Sequence, residues 1–552
     1  MNSNRQSQTR LSAVWAAYGD ALGFITELAD ADRVQYRSGF RNVTQPVEWR
    51  RKIGSRTGTS IVLPAGAYSD DTQLRLSTSR AIRSDGGFDV ASFAKVELPA
   101  WINYALGAGI GSREAAVNLA RTSATWYSNF FENKRASYVR GGGNGAAMRI
   151  QPHVWSAPDL NNHAAISRDV VRNAICTHGH PRGIVGACFH AATLALALGG
   201  RAPPTMQACE EVASFLRSLP EIMYGDGDLR LFWLGPWAEK IGEKVEDALG
   251  RVVDELISDL RALDSIQERD LSKAYNLALD KLGAWEPESR GSGTKTSMLA
   301  AFLAARCDLS RPFDALELAA NSLGSDTDSI GTMAGAIIGA CTPVECSASL
   351  QDRKYIEAEA SRLAAVAVNE STLSFQYPDL RSWKPARAAI DAIAKANGHL
   401  VLDGVGRLEP TFGPPVSDGN GEDFQWFELE FGQTILGRVR EEPHEASSTR
   451  HNVPSSDQPS GRIAGAAPRM PDLFSGKAGR NASRAEPVRP EPSLTTLNKT
   501  LQEVIDSGFN PEMVGRVLLA QAQPGQSNFV ERGIALTSTI LTAYEARMRK
   551  RK

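Results

Sequence analysis

The stretch Ser325-Asp326-Thr327-Asp328-Ser329-Ile330-Gly331-Thr332-Met333-Ala334-Gly335-Ala336-Ile337-Ile338-Gly339-Ala340 governs the reading of the whole chain. From Ile330 onward it is apolar, and small residues recur at three- and four-residue spacing. A helix of that kind belongs in a core, where a neighbouring backbone can approach it closely. Ahead of it, Asp326 and Asp328 lie two residues apart on the loop that leads in. One reading is a capped turn. The other starts from the cost of holding carboxylates against a buried helix, which is high unless they are paired or bind a metal.

Outward from this stretch the same texture runs from residue 10 to about 395. Ala-rich helical pattern, broken by Gly, Pro, Asp and Ser, covers 185–198, 212–219, 245–263, 297–306, 332–339 and 355–368. No repeat of 20–50 residues is visible, which argues against a solenoid. The fold class expected is all-α, a multi-helix domain over 1–395. After Gly398 the texture changes: 400–407 is short, β-branched and Gly-punctuated. Phe427, Leu429 and Phe431 alternate with Glu428 and Glu430, the period of a half-buried strand, so a small β extension is expected over 396–440. Residues 441–492 hold eight prolines and few large apolar residues; such a segment cannot offset its ordering entropy and reads as a disordered linker. Pattern returns over 493–552. Leu494, Leu497, Leu501, Val504 and Ile505 share a helical face, Asn510-Pro511-Glu512 reads as a helix start, and 529–548 as a further helix.

The 552 residues carry 61 Lys+Arg against 63 Asp+Glu, a formal charge of −2, which gives no general attraction to nucleic acid or anionic membrane. The polar start does not read as a signal peptide. The apolar run 184–200 contains His190, is rich in Ala and Gly, and reads as a buried helix rather than a membrane span. Cys176, Cys188, Cys209, Cys307, Cys341 and Cys346 form no C-x-x-C pair, so no zinc or disulfide framework is expected and a reducing cytoplasm fits.

A second acidic motif, Ser69-Asp70-Asp71-Thr72, opens a helical pattern. Alone it reads as helix capping. Together with Asp326 and Asp328 it offers four carboxylates and the hydroxyls of Ser69, Thr72 and Ser329. An all-oxygen set suits Mg²⁺, with Mn²⁺ as an alternative, and four negative charges would neutralise two divalent ions. Gly141-Gly-Gly-Asn144-Gly145-Ala-Ala-Met148-Arg149 permits a backbone that curls around an anionic or ribose-like ligand, or a plain loop. His178, in Thr177-His178-Gly179-His180-Pro181, reads as a hydrogen-bonding group toward a phosphate or sugar, or as a satisfied structural histidine; His180 reads as structural. Asp20, in Gly19-Asp20-Ala21-Leu22-Gly23, reads as a buried hydrogen-bonding residue, and Glu27 as a loop carboxylate facing the site.

These five motifs, in their order along the chain from Gly19 to Ser329, make residues 10–370 resemble the ADP-ribosylglycohydrolase family, which takes in the ADP-ribosyl-acceptor hydrolases. The resemblance implies a compact all-α fold with a binuclear magnesium centre that holds the ribose of an ADP-ribosyl group and hydrolyses its bond to an acceptor. It implies metal ligation by Ser69, Asp70, Asp71, Asp326, Asp328 and Ser329, and substrate contact by Gly143, Asn144, Gly145, Ala146, Met148 and His178. Proton transfer falls to one of the carboxylates or Glu27 among Glu27, Asp70, Asp71 and Asp328. Ser69 and Ser329 stand where the family often has Thr, and Ser325 where it often has Gly. The expected protein is therefore a cytoplasmic, Mg²⁺-dependent hydrolase acting on an ADP-ribosylated protein or other ADP-ribosylated acceptor. No membrane partner is expected, and a nucleic-acid partner is disfavoured. A non-catalytic ADP-ribose-binding or structural member is the alternative, as is a subunit of a stress or defence assembly. Residues 493–552 are expected to mediate self-association or capture of a protein partner.

Overall fold

The structure, a computed structural model, describes residues 2–54, 58–417, 422–446 and 502–520, with single positions at 537, 540, 544 and 547. The chain divides into two compact units, 1–455 and 456–552.

At the centre of the first unit lies the helix Thr327–Cys341, buried from Thr327 to Ala340. It runs along the N-terminal helix Asn2–Thr26. The two backbones touch: a Cβ on Gly19 would stand 2.1 Å from the Gly331 carbonyl oxygen, and one on Gly23 would stand 2.4 Å from that of Thr327. Only glycine allows this approach, and it sets the register in which residues 20–27 face residues 326–329. The helices Pro181–Gly200 and Gly293–Ala305 pack on the other sides of the central helix. Pro181–Gly200 is long and apolar enough to cross a membrane by composition, yet it lies within the helical body, where its residues from Gly183 to Ala195 are buried.

The all-helical expectation for 1–395 needs correction. An antiparallel hairpin, β1 (Trp49–Ile53) and β2 (Thr59–Leu63), interrupts it, with Trp49 paired to Leu63. Trp49, Ile61 and Leu63 are buried while Arg50, Lys52, Ser60 and Val62 face out. Two five-residue strands, one carrying three cations, hide their period of two from a reading tuned to long helices. The Ala-rich run near 390 is also not helix: after a short turn, Ala389–Ala392, it becomes β3 (Ile393–Ala396).

β3 opens an antiparallel sheet with β4 (His399–Leu402), β5 (Gly406–Pro410), β6 (Val416–Ser417), β7 (Asp423–Leu429) and β8 (Thr434–Val439). The order is β3-β4-β5-β7; β8 pairs with β7, Phe427 facing Ile435, and β6 pairs with β7 as well. Phe427 and Leu429 point inward and Glu428 outward, as their alternation predicts. The sheet closes onto the helices rather than hanging from them. Asn103 Nδ2 donates to the Arg438 carbonyl at 2.7 Å and Arg80 Nη1 to Gln433 Oε1 at 2.7 Å, the latter in full burial. The first residues of the expected linker extend this sheet, since Lys395 N donates to the His444 carbonyl at 2.8 Å and Ala446 N to the Lys395 carbonyl at 2.7 Å. Residues 447–492 of that linker lie outside the described residues.

In the second unit, Asn510 Oδ1 accepts from Glu512 N at 2.9 Å, capping the helix Pro511–Ala520 where the sequence predicts its start. Val504, Val517 and Ile540 form a small apolar cluster. Of the helix expected over 494–505, residues 502–505 are helical, while 494–501 and most of 529–548 lie outside the described residues.

Candidate functional site

The helix Asp70–Arg80 begins the site. Its first amides are satisfied by Ser69 Oγ, which accepts from Asp71 N at 3.2 Å, and by Asp20. The Asp20 carboxylate, fully buried, accepts from Ser69 N and Thr72 N at 2.9 Å each and from the Thr72 hydroxyl. The capping that Asp70 and Asp71 could have supplied is thus done by their neighbours, and both carboxylates are left to face a cleft of about 640 Å³. Asp20 is the buried hydrogen-bonding residue the sequence suggests. Ser69, read as a metal ligand, is placed beneath the cleft with its hydroxyl in the cap.

From the opposite side come Asp326, Asp328 and Ser329, which also line the cleft. Asp326 does not cap its own helix; its Oδ2 accepts from Asn144 Nδ2 at 3.0 Å. Asp328 Oδ1 accepts from Ser329 N at 2.9 Å. Glu27, just past the end of the N-terminal helix, reaches the same cleft. Two arginines hold it. Arg37 Nη1 donates to the Glu27 carbonyl at 2.8 Å, and Arg51, lying 4.2 Å over the Phe24 ring, stands 3.4 Å from Glu27 Oε2.

Gly143, Asn144, Gly145 and Met148 form a further wall, with His178 beside them. A Cβ on Gly145 would meet Ser112 Oγ at 2.6 Å and His178 Cε1 at 2.8 Å, which is why the loop is built of glycine there. Ala146 is fully buried behind this wall and does not line the cleft. Thr177 Oγ1 lies 2.7 Å from His178 Nδ1, leaving Nε2 on the side of Gly143 and Gly111. Burial, with Arg149 and His180 nearby, pushes the His178 imidazolium down to about 3, so it meets a ligand as a neutral ring. His180 caps the next helix, its Nδ1 accepting from Arg182 N at 3.1 Å.

Two residues here had no role in the sequence reading. Arg149, fully buried, donates to the Gly145 carbonyl at 2.8 Å, to Thr177 Oγ1 at 2.8 Å and to Asn173 Oδ1 at 2.9 Å, tying the glycine loop to the His178 turn. An arginine closing a motif of small residues was its only signal. Arg51 sits on a strand the periodicity did not reveal.

The carboxylates repel one another. Asp70, Asp71 and Asp328 are 2–4% exposed. Burial, above all, raises their proton affinities well above the carboxylate range. Glu27 and Asp20 add to it at Asp70, Asp20 and Asp70 at Asp71, and Glu27 and Asp71 at Asp328. Asp71 Oδ2 is buried without a hydrogen-bond partner among the described residues. A buried acceptor left without a donor, within an all-oxygen set whose charges drive each other's protonation, fits a hard divalent cation. Among the described residues no three carboxylate, imidazole or thiolate groups meet at one point at coordination distance.

Known proteins are similar to this chain in sequence. A curated ADP-ribosyl-dinitrogen reductase glycohydrolase of Rhodospirillum rubrum is 26% identical over 203 residues, 36% of this chain and 60% of its own length, so the chain spans less than two thirds of that relative. A solved structure described as an ADP-ribosylglycohydrolase-related protein complex is 22% identical, with coverage of 66% of this chain and 99% of its own and a TM-score of 0.41. The model of the ADP-ribosylglycohydrolase family matches residues 1–372, a span that takes in every residue of the cleft described above. The chain belongs to the ADP-ribosylglycohydrolase family.

Proposed function

We propose that the protein is a cytoplasmic hydrolase that removes ADP-ribose from a modified protein by cleaving the bond at the anomeric carbon, with two Mg²⁺ or Mn²⁺ ions as cofactor. The observation that carries this reading is the convergence of Glu27, Asp70, Asp71, Asp326 and Asp328 on one cleft that also holds the glycine loop and His178. Asp70, Asp71, Asp326, Asp328 and Ser329 would hold the ions, with Ser69 available once its cap is exchanged. The ions supply orientation of the ribose hydroxyls and positive charge that favours deprotonation of a nearby water.

The chain's own groups do the rest. At Gly143 and Gly145, which carry no Cβ, the backbone can approach the ligand closely. Neutral His178 offers Nε2 to a phosphate or sugar oxygen. Glu27 has its proton affinity raised by burial and by Asp326 and lowered by Arg51, so it is a carboxyl able to exchange a proton with water or leaving group. Retention of every carboxylate favours catalysis over a purely binding role.

The deciding experiment measures release of free ADP-ribose from arginine-linked and serine-linked substrates, with and without EDTA. Release that EDTA abolishes and Mg²⁺ restores supports the reading; no release from any linkage with Mg²⁺ or Mn²⁺ present overturns it.

A further inference from the structure

A second cleft, of about 730 Å³, opens beside the first. The two share Gly107, and Arg51, which holds Glu27 in the first cleft, forms part of the wall of the second. Gly107 has φ +87°, and a Cβ there would come within 3.0 Å of Phe24 Cε2 and 3.1 Å of Asp70 Oδ1. The residue that the two clefts share is therefore bare backbone set against Asp70, a carboxylate of the first cleft.

The far wall comes from the sheet, through Glu422, Phe424, Leu436 and Arg438, all beyond the 1–372 span of the family match. Among the described residues Arg51, Lys52, Arg113 and Arg438 make the cleft basic against one carboxylate, Glu422, which stands 3.8 Å from Arg438. Arg438 is engaged with the end of the helix Leu98–Tyr104, donating to the carbonyls of Ile102 at 2.9 Å and Asn103 at 3.1 Å. Arg51 is engaged with Glu27. Arg113 is exposed, and its guanidinium makes no hydrogen bond or ion pair among the described residues.

We propose that this second cleft is the acceptor-side subsite, receiving an acidic peptide segment next to the ADP-ribosylated residue while the ADP-ribosyl group lies in the first cleft. The proposal rests on the function proposed above. One arginine without an ion pair among the described residues, in a cleft also lined by Phe424 and Leu436, matches a carboxylate side chain with apolar neighbours. A nucleic-acid backbone instead needs a run of cations, one for each phosphate, and Glu422 interrupts any such run.

The test uses the full-length chain with two short fluorescent peptides, one whose central arginine is flanked by glutamates and one with glutamines in their place. Fluorescence anisotropy should show wild type preferring the glutamate peptide by about fivefold or more, Arg113→Glu erasing that preference, and Arg113→Lys retaining it. Thermal unfolding and turnover of a small ADP-ribosyl-guanidine substrate should stay within about twofold in Arg113→Glu. Equal binding of both peptides by wild type, or an undiminished preference in Arg113→Glu, overturns the proposal. So does tighter, Arg113-dependent binding of a single-stranded oligonucleotide. Peptide capture needs no bond cleavage, so an intact charge preference without hydrolysis would refute only the hydrolase reading, and hydrolysis without a charge preference would refute only this one.

Discussion

At the scale of single residues, what matters is which polar groups are already satisfied. Asp20 and Ser69 complete the cap of the Asp70 helix, so the cap does not draw on the Asp70 and Asp71 carboxylates. Asp328→Asn keeps the volume and removes one negative charge; calorimetry should record Mg²⁺ affinity about tenfold lower or worse, and unchanged affinity would remove Asp328 from the ligand set. The histidines make a separate prediction about pH. Burial holds His190 uncharged down to about pH 3, whereas the unfolded chain protonates it near 6.5. Below about pH 6.5 the unfolded state binds the extra proton, so stability falls as the solution is acidified. The slope from this one group is about 1.4 kcal/mol per pH unit. His190→Gln removes that slope: in urea titrations between pH 6 and 4, the gap between wild type and variant should shift in the variant's favour by roughly that amount per unit. A constant gap would mean that His190 is protonated in the folded protein.

At the scale of elements, the site depends on two helix backbones in contact. Gly19→Val would place side-chain atoms where the Gly331 carbonyl now lies, 2.1 Å from the position of the Cβ alone. Backbone cannot yield as a flexible side chain does, so the helices must separate. Urea unfolding should show a loss of about 3 kcal/mol or more, and Mg²⁺ should give less thermal protection because Glu27 and Asp328 sit on opposite sides of that contact. A loss below about 1 kcal/mol would show that the helices can slide apart cheaply. The legibility of this level is uneven. Small residues at three- and four-residue spacing announced a close helix pair, but spacing alone could not say that 11–23 is the partner of 327–339, since partners so distant in sequence are chosen by the whole packing.

At the scale of the molecule, the sheet decides where the protein can be shortened. Leu402, Leu408, Phe427, Leu429 and Ile435 are buried in one continuous core with the helices, and Arg80, paired with Glu97 at 2.7 Å in full burial, also donates to Gln433. Truncation after residue 372, where the family match ends, would expose that core and leave Arg80 short of an acceptor. The fragment should be insoluble or markedly less stable by calorimetry. Truncation after Ala446 keeps every described bond of the sheet, and should leave unfolding temperature and small-substrate turnover within experimental scatter, while any association that depends on 493–552 disappears from light scattering. Loss of turnover in that shorter, folded protein would give the C-terminal unit a part in the reaction.

The sequence by itself determined the chemistry on offer: two acidic motifs, a glycine loop, a histidine turn and the small-residue helices that bury them, each legible because it is a local pattern of residue types. Resemblance to a family arranged those motifs around one site before any coordinates did. Only the tertiary structure decided which groups remain available. Asp20 takes the capping role from Asp70 and Asp71, Arg149 ties the glycine loop to His178, Arg51 reaches Glu27 from an unforeseen hairpin, and the sheet becomes a wall of a second cleft. Each of these depends on hydrogen bonds and contacts between residues far apart in the chain. Their formation is set by burial and close packing of the whole, which no local period records.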